Sequence, residues 1–509
     1  MRKIAFILFI GVLISMSSCR KDFDFESSTG GLRFSRDTVY LDTVFTNIGS
    51  STYTLKVYNR SDKDINIPSV KLGKGLDSKY RMTVDGMQGN GGKNFENVEL
   101  LANDSLYIFI ETTANIADAN PTDFLYTDQI QFDSGTKLQT VELVTLIQDA
   151  VFLYPQRFDD GTTETLPIGD DQIYGFYLDH ADHGDEFHFT NAKPYVIYGY
   201  AAVPNGETLT IDPGARIFCH DGSGIIVGNG GNVVVGADNP TPTPESEVVF
   251  EGDRLEPDFS DIPGQWGAIW LTPGSTGSFN HTTIKNAVIG LYTQANTVSI
   301  KNTQIYDCSN YGILAQTATI TGENVIINSA GQRALACSLG GNYNFTHCTF
   351  NNNWPSSKQV AVSIDNYFLD ENGTEFPYDL TAANFTNCII FGSNQVELLI
   401  NQGDSTTVTW NEPVFTKCQI KFNNTANQFT DNPHYTFLND DTNIIKNQNP
   451  DFEDGNKNKL NIGDDSNAQD FGNFTTVTHD ILGTLRVAGP TNGKYDLGAY
   501  QHATFPEDN

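Results

Sequence analysis

Between Gly267 and Phe350 two hydrophobic patterns run side by side. The first sets a small residue before an apolar one at Ala268-Ile269, Gly290-Leu291, Gly312-Ile313 and Ala334-Leu335, and the apolar member recurs every 22 residues. The second sets two apolar residues five positions apart, in Phe279/Ile284, Ile300/Ile305, Ile320/Val325 and Phe345/Phe350, and returns as Phe385/Ile390 and Phe415/Ile420. A fixed period of this length marks a solenoid, whose units bury their apolar faces only against one another. Leucine-rich spacing is absent, and the pattern lacks the period of an α-helix, so the units are short strands. Stacked coils with aliphatic residues inside make a parallel β-helix, and parallel crossovers are overwhelmingly right-handed. After Leu335 the steps lengthen, which predicts inserted loops at 351–359, 367–383 and 402–413. Two positions after the first apolar residue stand Asn302 and Asn387, with Gly322, His281, His347 and Lys417 at the equivalent places. Asn and Gly tolerate a left-handed backbone, so a bend is predicted there.

The pattern differs before the stack. Val39 to Val44, Tyr53 to Tyr58, Leu106 to Ile110 and Val141 to Val144 alternate apolar and polar residues between Gly, Asn and Asp turns. Such period-2 runs predict a β-sandwich over 32–150. The run Val44 to Gly49 followed by Leu55 to Asn59 resembles immunoglobulin-like modules of bacterial envelope proteins, although 32–150 holds no Cys for the immunoglobulin disulfide. Residues 151–194 read as an irregular acidic connector, 195–440 as the β-helix, and 441–509 as a cap over its open end, where bare strand edges need cover. The whole chain is therefore expected to be all-β.

Charge narrows the partners. The net charge is −32, spread along the chain. Such a surface repels nucleic acid and anionic headgroups. Neutral glycans and proteins remain. No cofactor is implied; calcium would be needed only to bridge a polyanion, and no EF-hand loop is present.

The N-terminus reads as an export signal over 1–18: Arg2 and Lys3, an apolar core from Ile4 to Ile14, then Ser15 to Ser18. That core is too short to span a bilayer. Met16-Ser17-Ser18-Cys19 resembles a bacterial lipobox, which implies cleavage before Cys19 and lipidation (palmitate among the acyl groups) of that residue. Residues 19–31 then form a polar tether. Lys21-Asp22 and Asp24 resemble the tag of surface-exposed lipoproteins, so the resemblance implies an outer-membrane lipoprotein facing outward. A monomer is expected. The six other cysteines lack metal-binding spacing, and Cys348, Cys388 and Cys418 hold one repeat position, which fits small core side chains.

Asn449 to Phe452, Lys459 to Ile462, Asp480 to Gly483 and Tyr495 to Tyr500 resemble the closing segment of secreted right-handed β-helix proteins, similar to Asp-Ile-Gly-Ala-Tyr-Glu. Lys193 to Tyr200 and Asn384 to Asn394 resemble one group of Gram-negative β-helix surface lipoproteins. These resemblances imply the fold and the address, and no activity.

Candidate chemistry is sparse. The acidic motifs of polygalacturonase-like hydrolases are absent from the stack. Its bases (Arg216, Arg254, Lys285, Lys301, Arg333, Lys358, Lys417) are scattered, which suits a uronate lyase poorly. A glycosidase needs two carboxylates, and Asp365, Asp370, Glu371, Glu375 and Asp379 lie beside Tyr367, Phe368 and Tyr378. The same residues fit an ordinary acidic loop. Trp266, Trp270 and Trp354, with Tyr367 and Tyr378, fit either a sugar platform or covers over coil junctions. His180, His183 and His188 lie among acids, yet the spacing matches no metal motif, so a solvated connector is the plainer reading. The sequence favours a non-catalytic, lipid-anchored binder of glycan or envelope protein. The alternative is a carbohydrate-active enzyme, glycosidase or polysaccharide lyase, using loop carboxylates.

Overall fold

A computed structural model describes residues 24–181, 184–238, 242–404, 406–487 and 494–505. The export segment, Cys19 and His183 lie outside the described residues. Two compact units divide between Asp149 and Ala150, and in both the regular elements are strands with a few short 3-10 turns. Among the described residues no helix is long and apolar enough to cross a membrane.

In the first unit, alternation along each strand sorts side chains to two sides. Ser105–Thr112 buries Leu106, Ile108 and Ile110 and turns Tyr107 and Phe109 to solvent. Arg33–Phe34, Tyr53–Tyr58, Ser105–Thr112 and Tyr80–Val84 form one sheet; Glu26–Ser27, Ile65–Leu72, Asn94–Leu100, Leu125–Phe132, Gln139–Gln148 and Thr38–Phe45 form the other. Their inward residues share one core, including Leu41, Leu55, Ile67, Tyr80, Ile108 and Phe132.

The second unit is dominated by parallel pairing. Ile269 pairs with Leu291, Leu291 with Ile313, Ile313 with Leu335, and Leu335 with Val362, so the 22-residue step is the distance from one strand to its neighbour. These strands belong to a ten-stranded sheet. Most of the remaining strands make a longer sheet with two parallel ladders, joined where Thr276–Lys285 and Thr297–Cys308 run through both. Side chains pointing inward from all three ladders make one continuous core.

The second apolar pattern needs a shift of register at one coil. Ile300 pairs with Gly322, and Gly322 with Phe345, while Ile305, Ile327 and Phe350 follow one another. Ile320 and Val325 are therefore two residues out of the expected alignment. The reason is steric. A Cβ at Gly322 would lie 2.4 Å from Cδ1 of Phe345, so the glycine makes the space that the larger ring occupies. The bend falls at Asn324 (φ 52°) rather than at Gly322, while His281, Asn302, His347, Asn387 and Lys417 are left-handed where predicted. Across the bends, Asn302 Nδ2 donates to Asn280 Oδ1 and Asn324 Nδ2 to Asn302 Oδ1, both at 2.9 Å. The six cysteines of the described chain are free and buried, and burial pushes the Cys348 and Cys418 thiols above their ordinary range.

Three expectations about segments need correction. Residues 19–31 are not a tether throughout, because Glu26–Ser27 already pairs, parallel, with Ile65–Leu72 of the six-stranded sheet. Residues 151–194 are not an irregular connector. Val151–Leu153 pairs with Tyr195–Ile197, Asp171–Tyr177 with Tyr200–Val203, and His188–Phe189 with Thr208–Ile211, all parallel. Leu153, Phe176, Phe187 and Phe189 enter the core, hidden in the sequence among surface acids. Nor does the segment after 448 cover the end of the stack. That end is closed by Phe422, Phe429 and the 3-10 turn Pro433–Asn439, whose Phe437 ring stacks on Phe415 at 4.6 Å and whose Tyr435 and Leu438 join the core. The final segment lies along the side instead. Leu460, Ile481, Ala499 and Tyr500 pack on Tyr306 and Ile326, and Ile462, Ala468 and Leu497 pack on Ile389. Arg486 Nη2 donates to Asn324 Oδ1 at 2.8 Å and to the carbonyls of Gly498 and Ala499.

Candidate functional site

The outward face of the ten-stranded sheet carries two rows. Parallel pairing in register stacks like positions at about 4.8 Å intervals. The residue after each core aliphatic therefore forms a row, running Ala202, Ile226, Trp270, Tyr292, Leu314 and Ala336. An outward row on a solvated sheet is ordinarily polar. Here it is apolar and aromatic. Two positions further on stand Gln294, Gln316 and Ser338, with Asp365 beside Ser338 and Asn401 beside Asp365.

The rows are cross-linked. The Trp270 and Tyr292 rings stack with centroids 5.3 Å apart. Trp270 Nε1 donates to Gln294 Oε1 at 2.9 Å, and Tyr292 Oη to Gln316 Oε1 at 2.9 Å. Gln294 Nε2 donates to the same Gln316 oxygen at 3.1 Å. Burial holds the Tyr292 phenol above its usual range, so it stays a neutral donor. At one end Leu166 packs with Ala202 and Ile226, and a cavity of about 330 Å³ opens between Leu166, Ile168, Tyr177, Ile226, Trp270 and Gln294. Its lining contains no Asp, Glu, Lys, Arg or His. Stacked rings beside fixed amides offer a flat apolar contact and neutral hydrogen-bond partners together.

The sequence candidates disperse over the unit. Trp270 lies in the rows. Trp266 does not: it is fully buried, with Nε1 donating to the Lys285 carbonyl at 2.8 Å, so it is core and not a ligand platform. Trp354 is half-buried in the loop above Gly331. Three of the five carboxylates have hydrogen-bond partners of their own. Asp365 Oδ1 accepts from Ser338 Oγ and the Leu339 amide at 2.9 and 3.0 Å, and burial raises its pKa. Asp370, in the turn of a projecting hairpin (Tyr367–Leu369 and Glu375–Pro377), accepts from the amides of Asn372 and Thr374, which lower its pKa. Glu371 is exposed in that same turn. Glu375 lies against Gly403, its buried Oε1 without a hydrogen-bond partner among the described residues, and Asp379 accepts from the Thr409 amide at 2.6 Å. Tyr378 follows the hairpin, its amide bonded to the Asn366 carbonyl.

His180 Nδ1 meets Asp185 at 3.0 Å and His188 Nε2 meets Asp212 at 2.9 Å. His180 Nε2 also lies 3.7 Å from Glu207, so the two histidines serve separate surface ion groups. Among the described residues no group of three His, Cys, Asp or Glu side chains is placed to hold a metal. Sequence reasoning missed Tyr292, Gln294 and Gln316. Their signal was present as an aromatic or aliphatic residue directly after each ladder aliphatic, where a solvated strand should show a polar one.

No family model matches the sequence, and no curated protein does. Among solved structures, the Escherichia coli chaperone DraB is 16% identical, with 24% of this chain and 57% of that one covered, at a TM-score of 0.16. A family 123 glycoside hydrolase from Clostridium perfringens is 9% identical over 25% of this chain and 30% of its own, at 0.18. The PapD-like domain of human CEP192 is 13% identical over 26% of this chain and 95% of its own, at 0.16. The match spans less than two thirds of the first two proteins, and at these scores none of the three bears on fold or activity here.

Proposed function

We propose that this chain is a lipid-anchored outer-membrane protein, akin to the β-helix surface lipoproteins, that binds a neutral glycan without cleaving it. In this reading the first unit is an immunoglobulin-like spacer and the second a right-handed parallel β-helix. The regular parallel steps of the ladders support the β-helix, and the two-sheet packing supports the spacer.

One observation carries the binding function. In a chain of net charge −32, the outward Trp270–Tyr292 stack and its Gln294–Gln316 amides line a face free of charged groups at its cavity. Sugar rings present apolar C–H faces to aromatic rings and hydroxyls to amides, which is the chemistry these rows supply. A glycosidase would need two carboxylates held for one bond, and Asp365, Asp370 and Asp379 are each engaged locally instead.

A neutral-glycan array, run with the parent and with Trp270→Ala, tests this reading. Binding by the parent and its loss in the variant are expected. Release of reducing ends or unsaturated sugar during incubation would refute the non-catalytic assignment, and an activity that survives Asp370→Ala with Glu375→Ala would exclude the hairpin carboxylates. Anchoring is tested separately: labelled palmitate should enter the parent and not Cys19→Ser.

A further inference from the structure

The first unit carries a face whose charge opposes that of the chain. On the outer side of its four-stranded sheet, pairing sets Arg33 beside Tyr58, Lys56 beside Tyr107, Thr54 beside Phe109, Phe109 beside Thr83, and Arg81 beside Glu111. Arg60 lies over the Tyr58 ring at 4.4 Å, and Lys56 Nζ lies 5.0 Å from the Tyr107 centroid and 5.4 Å from that of Tyr58. Glu111, the acid among these paired positions, is bound by Arg81 Nε at 2.9 Å and by Thr52 at 2.6 Å. Among the described residues no carboxylate lies within ion-pair reach of Arg33, Lys56 or Arg60, while Lys63, Lys79 and Arg81 are paired. Tyr107 and Phe109 are 46% and 43% exposed, more than inward packing would leave. A cavity of about 280 Å³ adjoins them, between Arg81, Thr83, Phe109 and the turn at Gln88 to Gly92.

We infer that this face docks on an anionic, phosphate-bearing membrane surface. Unpaired cations on long stems beside exposed aromatic rings are the composition of a membrane interface: rings enter the headgroup layer while the charges reach phosphates. Charge complementarity selects an anionic surface, and local charge governs it, because the net negative charge elsewhere is screened beyond about 8 Å at physiological ionic strength. The position suits it too. Glu26, which opens the first strand of the unit, is seven residues from Cys19, and a chain of that length reaches at most about 25 Å. The face would hold the unit against the bilayer instead of leaving it free on its tether.

The test uses the full chain carrying Cys19→Ser, so that acylation contributes nothing, sedimented with phosphatidylcholine vesicles with and without phosphatidylglycerol. Binding only to the phosphatidylglycerol vesicles is expected, weakening as salt rises. Each of Arg33→Gln, Lys56→Gln and Arg60→Gln should lower partitioning about fivefold, and the triple variant about a hundredfold. Lys71→Gln, exposed on the other sheet, should leave it unchanged. Circular dichroism matching the parent shows that the variants fold. Absence of binding, equal binding to phosphatidylcholine alone, an unaffected triple variant, or an equal loss in Lys71→Gln would each overturn the inference. Glycan binding plays no part in the experiment.

Discussion

Two outward faces of the parallel stack carry apolar rows, and they meet different fates. On the longer sheet, Tyr306, Ile326 and Ile389 are roofed by Leu460, Ile462, Leu497, Ala499 and Tyr500 from the end of the chain. On the ten-stranded sheet, Trp270 and Tyr292 stay half open, roofed only at one end by Leu166. An apolar outward row therefore does not mark a site by itself. Where the chain spends a segment to cover the row, the row is core. Where it leaves rings beside satisfied amides, the row is available to a ligand.

The sharpest way to break this comparison is to remove the roof. Deleting residues 452–509 uncovers the first row and discards Leu460, Ile462, Ile481, Leu497 and Tyr500. At about 1.5–3 kcal/mol per buried side chain, the loss is on the order of 10 kcal/mol. Thermal unfolding should show the stack melting far lower or aggregating, and an unchanged midpoint would mean the roof is ornament. A pair of point variants sharpens the contrast. Ile326→Ala, under the roof, should cost about 2–4 kcal/mol. Trp270→Ala, half open, should cost about 1 kcal/mol or less while abolishing glycan binding. Denaturant titration of both decides, and equal costs would erase the distinction.

A smaller effect concerns pH. Burial raises Glu397 to about 8 and Asp307 to about 6, against ordinary values of 4.5 and 3.8. A carboxyl raised in the folded state holds its proton where the unfolded chain has released it. Stability from these two groups is thus fully present below about pH 4 and is lost as pH rises toward 8, by a few kcal/mol in all. Denaturation midpoints of the second unit across that range should fall, and a rise would place the controlling charges elsewhere. Smaller still, Gly322→Ala should cost about 1–3 kcal/mol through the Phe345 ring, and Phe345→Leu in the same chain should recover part of it.

Much of this arrangement was legible in the sequence because parallel pairing in register writes its period into the chain. Ile269, Leu291, Ile313 and Leu335 fix the step and the sheet at once. The exception at Gly322 was hidden because pattern matching aligns apolar residues, whereas the structure aligns a missing side chain with an oversized one. The strands of 151–194 were hidden for a related reason: two or three inward residues per strand, such as Phe187 and Phe189, are too few to stand out among Asp179, Asp182, Asp185 and Glu186. The roof was misplaced because Leu460, Leu497 and Tyr500 announce a buried surface without saying which one. Of the site, Trp270 was visible as a residue type. Gln294 and Gln316 acquire meaning only once the pairing puts them in one row.

The lateral position of the final segment also bears on how the molecule is made. Contacts between neighbouring coils are close in sequence and can form as each coil emerges. The roof contacts cannot: Asn324 bonds the carbonyl of His479, 155 residues later. Ile326 must wait for Tyr500, which at about 5–20 residues per second leaves its row uncovered for roughly 9–35 s of synthesis. For that interval the nascent stack is a row of finished coils with one greasy flank, and whatever escorts the chain has that flank to shield.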